Sequence, residues 1–110
     1  MSITFSDLKE SLLKLNSDIK SNAVEFFFEA VYSRDVFEQL ETCLESYFGK
    51  PLKPPQQLPT PESDAFAGRY GGAKEGQTLY VLKRNGSHAD IALIWPWSSG
   101  QQFTVKLIRQ

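Results

Sequence analysis

Thr78-Leu-Tyr-Val-Leu-Lys-Arg84, Ala89-Asp-Ile-Ala-Leu-Ile-Trp95 and Gln102-Phe-Thr-Val-Lys-Leu-Ile108 are three short apolar runs, separated by Asn85-Gly86 and Ser98-Ser-Gly100. Runs rich in β-branched and aromatic residues, divided by turn residues that accept positive φ, predict an antiparallel meander over 77–110. No connection between them is long enough for the crossover that parallel strands need. Only the last run alternates cleanly, Phe103, Val105 and Leu107 against Thr104, Lys106 and Ile108. The first two are apolar on both sides, which implies helices on one face and partial cover on the other.

Upstream, residues 1–49 form a helical half. Leu8, Leu12, Leu15 and Ile19 make one helical stripe, and Thr4 with Asp7 offers a capping box at its start. Ala23 to Tyr32 fits two templates, a helical face of Val24, Phe27, Phe28, Val31 and Tyr32 or a strand face of Val24, Phe26, Phe28, Ala30 and Tyr32. Aromatic and β-branched enrichment favours a strand at 23–32. A second helix follows, with Val36, Phe37, Leu40, Leu44, Tyr47 and Phe48 on one side. Ser33 or Asp35 is its expected N-cap, Gly49 its close, and Pro51 blocks continuation. Residues 50–76 read as a Pro/Gly-rich connection of extended or irregular backbone, tacked down by Phe66 and Tyr70. The expected fold is a single α+β domain over 1–110: two amphipathic helices packed on one face of an antiparallel sheet with a C-terminal three-stranded meander.

Composition narrows the function classes. The 110 residues are 41% hydrophobic, enough for one core, and 12 Lys and Arg against 13 Asp and Glu leave a net charge of −1, with no global field to attract nucleic acid or an anionic membrane. Phe26-Phe27-Phe28 and Ile91 to Trp97 are too short to span a bilayer. With one cysteine and Asp7 breaking the N-terminal apolar run, a cytoplasmic, reduced protein is expected. Cys43, beside the second helical stripe, reads as a small packed residue.

No catalytic or cofactor pattern emerges. Gly71-Gly-Ala-Lys-Glu-Gly76-Gln77-Thr78 is one substitution from a phosphate-binding loop, but Gln77 replaces the lysine and a strand follows where a helix N-terminus is required. His88 is the lone histidine, in a hairpin loop; Ser87, Ser98, Ser99 and Asp90 are its conceivable triad neighbours, without a nucleophile elbow. Glu62 and Asp64 lie in a loop with nothing to desolvate either one. No enzyme, metal or cofactor is expected. Pro51-Leu-Lys-Pro54 matches a PxxP ligand formally, and reads as linker. Lys83, Arg84, Lys106 and Arg109 are expected as a small basic cluster guarding a sheet edge.

Trp95-Pro96-Trp97 is the strongest binding candidate. Ile91, Leu93, Trp95 and Trp97 share a face opposite Asp90, Ala92 and Ile94, and Pro96, unable to donate a ladder bond, implies an unpaired strand end with Trp97 at the rim. The leading expectation is a small non-enzymatic protein–protein interaction module, an adaptor, assembly factor or inhibitor/immunity-type protein with an unidentified protein partner, and the apolar residues on both sheet faces add the expectation of a weak or moderate homodimer. The alternative is a small-ligand module whose helix–sheet pocket is lined by Tyr70, Tyr80, Trp95 and Trp97.

Overall fold

A computed structural model of the chain describes residues 3–15, 17–24, 27–84 and 88–109, with the backbone alone at 17–24 and at Arg69. The elements run α1 (Phe5–Lys14), β1 (Ser17–Val24), β2 (Phe27–Ser33), α2 (Phe37–Phe48), α3 (Pro61–Ala67), β3 (Thr78–Lys83), β4 (Ala89–Pro96) and β5 (Gln102–Arg109). All strands join one antiparallel sheet in the order β1-β2-β5-β4-β3. The class is α+β, with β3, β4 and β5 as the meander.

Alternation sorts the core into two layers. Phe28, Ala30, Tyr32, Tyr80, Ala92, Ile94, Phe103, Val105 and Leu107 pack with Phe5, Leu8 and Leu12 of α1 and Leu40, Leu44 and Phe48 of α2. Burying each large side chain of this kind contributes about 1.5–3 kcal/mol. Across the sheet, Leu79, Ala89, Ile91, Leu93 and Ile108 pack with Ala67 and Ala73, and with half-buried Phe66, Tyr70, Val81 and Trp95. The second cover is therefore α3 and the turn that follows it.

Four expectations need correction. The first helix stops at Lys14 and Leu15 is already extended, so the stripe ends before Ile19, which lies in β1. In sequence, Ser17 and Asp18 are weaker helix formers than the Leu, Lys and Glu of α1, in keeping with the early stop. The segment 23–32 is neither one strand nor a helix: Val24 ends β1 and Phe27 opens β2, antiparallel to it. Phe28, Ala30 and Tyr32 do share the strand face, while Phe26 and the Asn85-Gly86 turn lie outside the described residues. No Ser33 or Asp35 side chain caps α2; a single 3-10 turn, Arg34–Val36, leads into it instead. The connection 50–76 is not extended or irregular throughout, because it contains α3. Thr60 accepts from the Ser63 amide and the Ser63 hydroxyl takes the Thr60 amide, while Pro61 occupies the first helical position, where its missing donor costs nothing.

The outer strands are protected differently. Beside β3, Lys53 forms an isolated antiparallel bridge with Leu79. At the other edge, the β1–β2 register shifts between Ser17 and Ile19 and again between Lys20 and Asn22. Such irregularities bend a strand and disfavour edge-to-edge pairing.

Candidate functional site

Trp97 leads out of β4 into the turn to β5, and its backbone is fully engaged. Its N–H donates to Gln102 O at 2.9 Å and its carbonyl accepts from Gly100 N at 2.9 Å. Gly100 has φ 74°, which closes that turn without Cβ strain. Arg34, in the 3-10 turn that follows β2, clamps the β4–β5 turn, its amide donating to Gln101 O at 2.8 Å and its guanidinium to Gly100 O at 3.0 Å. The indole N–H of Trp97 donates to Thr104 Oγ1 at 2.8 Å, yet the residue stays 40% exposed. Because Trp97 N–H addresses β5, alternation turns the donorless side of Pro96 toward β3, which begins only at Thr78, opposite Ile94. Pro96 thus sits where no ladder partner exists.

Trp95 lies on the same face, half-buried. Its indole N–H donates to Gly72 O at 3.2 Å, and Lys106 Nζ stands 4.1 Å from its ring centroid. Gly71 fits against it because a Cβ there would come within 2.9 Å of the ring, and its φ of 104° independently favours glycine. Tyr70 joins the same layer. Tyr80 does not: it is fully buried on the helical side, with its hydroxyl donating to Glu45 Oε2 at 3.1 Å and its ring 5.7 Å from Phe48. Burial first, and then the charge of Glu45, hold that phenol well above the ordinary tyrosine range. Tyr70, Trp95 and Trp97 therefore share a face, and Tyr80 stands across the sheet from them.

The four basic residues do not form one cluster. Lys106 belongs to Trp95, and Lys83 stands 5.9 Å from the Phe66 ring centroid. Arg84 and Arg109 converge instead on Asp90, which is wholly buried. Arg109 binds both carboxylate oxygens at 3.0 Å, Arg84 Nε approaches Oδ1 at 3.2 Å, and the Tyr47 hydroxyl donates to Oδ2. The Arg109 guanidinium also stacks 4.5 Å above the Phe5 ring centroid. Hydrogen bonding to Asp90 raises the Arg109 pKa, and burial, followed by Asp90, raises that of Tyr47. This network ties α1 and α2 to one end of the sheet. Its signal was present in the alternation, since Asp90 shares the inward side with Ala92 and Ile94, and an inward carboxylate requires a cation.

Among the catalytic candidates, His88 precedes β4 while Ser98 and Ser99 follow it, at the other end of the strand, Asp90 is bound by Arg109, and Ser87 lies outside the described residues. Glu62 and Asp64 are exposed on α3, and the 71–78 loop runs into β3 rather than a helix. Cys43 packs at the margin of the helical core, where burial raises its thiol pKa. Among the described residues, no group of three or more His, Cys, Asp and Glu side chains could hold a metal, and no helix is long and apolar enough to cross a membrane. No family model, curated protein or solved structure matches the chain.

Proposed function

We propose that this chain is a small non-enzymatic interaction module, an adaptor, assembly factor or inhibitor/immunity-type protein, which binds a protein partner through the sheet face at Trp97. The observation that carries the reading is the rigid display of an exposed indole: backbone and side-chain bonds hold Trp97 in one position while 40% of it faces solvent. A large aromatic ordered before binding loses little entropy on contact, which is how tryptophan comes to dominate protein interfaces. Trp95 and Lys106 beside it, and Thr104 beneath it, supply a mixed apolar and polar surround. A weak homodimer through this same surface belongs to the proposal, as does residence in a reducing, cytoplasmic compartment where Cys43 stays a thiol. The pocket reading has no comparable support, because Tyr80 is separated from the other three aromatics by the sheet.

A pull-down from lysate of the source organism, with wild type and a folded Trp97→Ala bait, tests the proposal. The expected result is a stoichiometric protein retained by wild type and lost by the variant. Equal retention by both baits, or background alone from both, would count against it.

A further inference from the structure

We infer that the Lys53 strap is a releasable guard of the β3 edge, and that once released this edge pairs with the same edge of a second copy of the chain. The inference is independent of the Trp97 surface. Arg84 N donates to His88 O within the β3–β4 hairpin, so by alternation Leu82 and Tyr80 also address β4, whereas Leu79, Val81 and Lys83 address the outside. Lys53 takes both outward groups of Leu79: Lys53 N donates to Leu79 O at 3.2 Å, and Leu79 N to Lys53 O at 3.0 Å. The ladder along β3 then goes no further, because Pro51 and Pro55, the next strap residues that would face this edge, have no N–H to give; Pro55 O accepts from Gly76 N at 2.8 Å, before β3 begins.

The anchor of the strap is an unusual one. Lys53 is 2% exposed, and its ammonium donates to Gln77 O at 2.7 Å and Pro54 O at 3.3 Å. Neither partner is a carboxylate; burial lowers the Lys53 pKa and nearby Glu75 offsets this only in part. The strap thus meets β3 itself at one residue, and is otherwise held by the Gly76–Pro55 backbone bond and by a desolvated cation on neutral acceptors, an arrangement suited to local opening.

The occupant follows from the geometry of the edge. An outward row of donors and acceptors is self-complementary under a two-fold axis. With Leu79 freed, an antiparallel pairing centred on Val81 sets Val81 against its own copy and Leu79 against Lys83 of the second chain, so the two Lys83 ammoniums do not face each other. With the strap closed, only Val81 and Lys83 address the outside, and the available row is shorter.

Amide exchange on the full chain, with sedimentation over a concentration series, tests this. In wild type, the Leu79 amide is expected to be protected yet to exchange through local openings insensitive to denaturant, while the Leu93 amide, on an interior strand, exchanges only with global unfolding. In Lys53→Ala, Leu79 should lose protection by about tenfold or more at low concentration, the effect of losing roughly one hydrogen-bonded contact. At high concentration, the variant should dimerise with new protection at the Val81 and Lys83 amides, which wild type does not gain. Equal opening free energies at Leu79 and Leu93 in wild type would overturn the releasable strap without recourse to any variant. A folded Lys53→Ala that stays monomeric, or dimerises with the Val81 and Lys83 amides unprotected, would overturn the pairing.

Discussion

On one face of the sheet, α1 and α2 close over an unbroken apolar layer from Phe28 to Leu107; on the other, the seven residues of α3 and the turn beyond them sit over the β3–β4 half and leave Trp97 at the rim. Strands β3 and β4 are apolar on both sides, so there the difference lies in the cover, whereas β5 alternates and brings Thr104 and Lys106 to the second face. A complete cover makes a core. A partial cover held in place by short contacts, Gly71 against Trp95 and Gly72 O under the indole, makes a surface that is ordered without being sealed. The first face holds the molecule together, and the second is free to meet something else.

Substitutions on the two faces should separate these roles. Phe28→Ala, which empties a fully buried site under α1 and α2, should cost about 3–5 kcal/mol in denaturant unfolding. A loss below about 1 kcal/mol there would break the distinction. Asp90→Ala should cost nearly as much, about 3 kcal/mol, by removing the buried carboxylate that Arg109 and the Tyr47 hydroxyl bind at the end of the helical face. The same measurement on Asp90→Asn distinguishes lost charge from lost shape. On the partly covered face, Gly71→Ala forces a Cβ toward the Trp95 ring at a positive φ, and should cost about 1–3 kcal/mol with a shift in Trp95 emission. Trp97→Ala should cost less than about 1 kcal/mol, because the indole is far from fully buried, while removing partner capture.

The smallest effect is electrostatic. Burial first, and then the neighbouring Glu45 and Glu38 carboxylates, raise the Glu41 pKa. A carboxyl raised above its unfolded value favours folding while protonated, and that contribution is lost as pH rises through the folded pKa. Glu41→Gln should therefore match wild type in acid, below the ordinary glutamate range, and melt slightly higher than wild type at neutral pH. A difference that grows toward acid would contradict the assigned direction.

Much of this architecture could be read from the residues, for identifiable reasons. The meander was legible because turn chemistry and β-branched runs agree, and α2 because its stripe and Gly49 agree. Helix α3 is hard to read because prolines ordinarily break helices, although Thr60-Pro61-Glu62-Ser63 is a start signal in which proline is the favoured first residue. The β1–β2 pairing was hidden because Phe27 and Phe28 suit a strand and a helix equally, and the decision came from pairing with β5, a contact distant in sequence. Within the candidate site, alternation correctly grouped Trp95 with Trp97 and opposed them to Asp90. It could not place Tyr70, which reaches the sheet from a loop, and Tyr80 was assigned to a pocket although its position in β3 aligns it with the helical side. Lys53 had no sequence signal at all, since a lysine among prolines ordinarily faces water.

The most direct test of the central claim is a photo-crosslinking amino acid placed at position 97 and, in a parallel chain, at exposed Glu38 on α2, each irradiated in lysate of the source organism. A binding face at Trp97 predicts one discrete adduct from position 97 and none from position 38. Matching adducts from both positions, or none from position 97 in a folded chain, would contradict it.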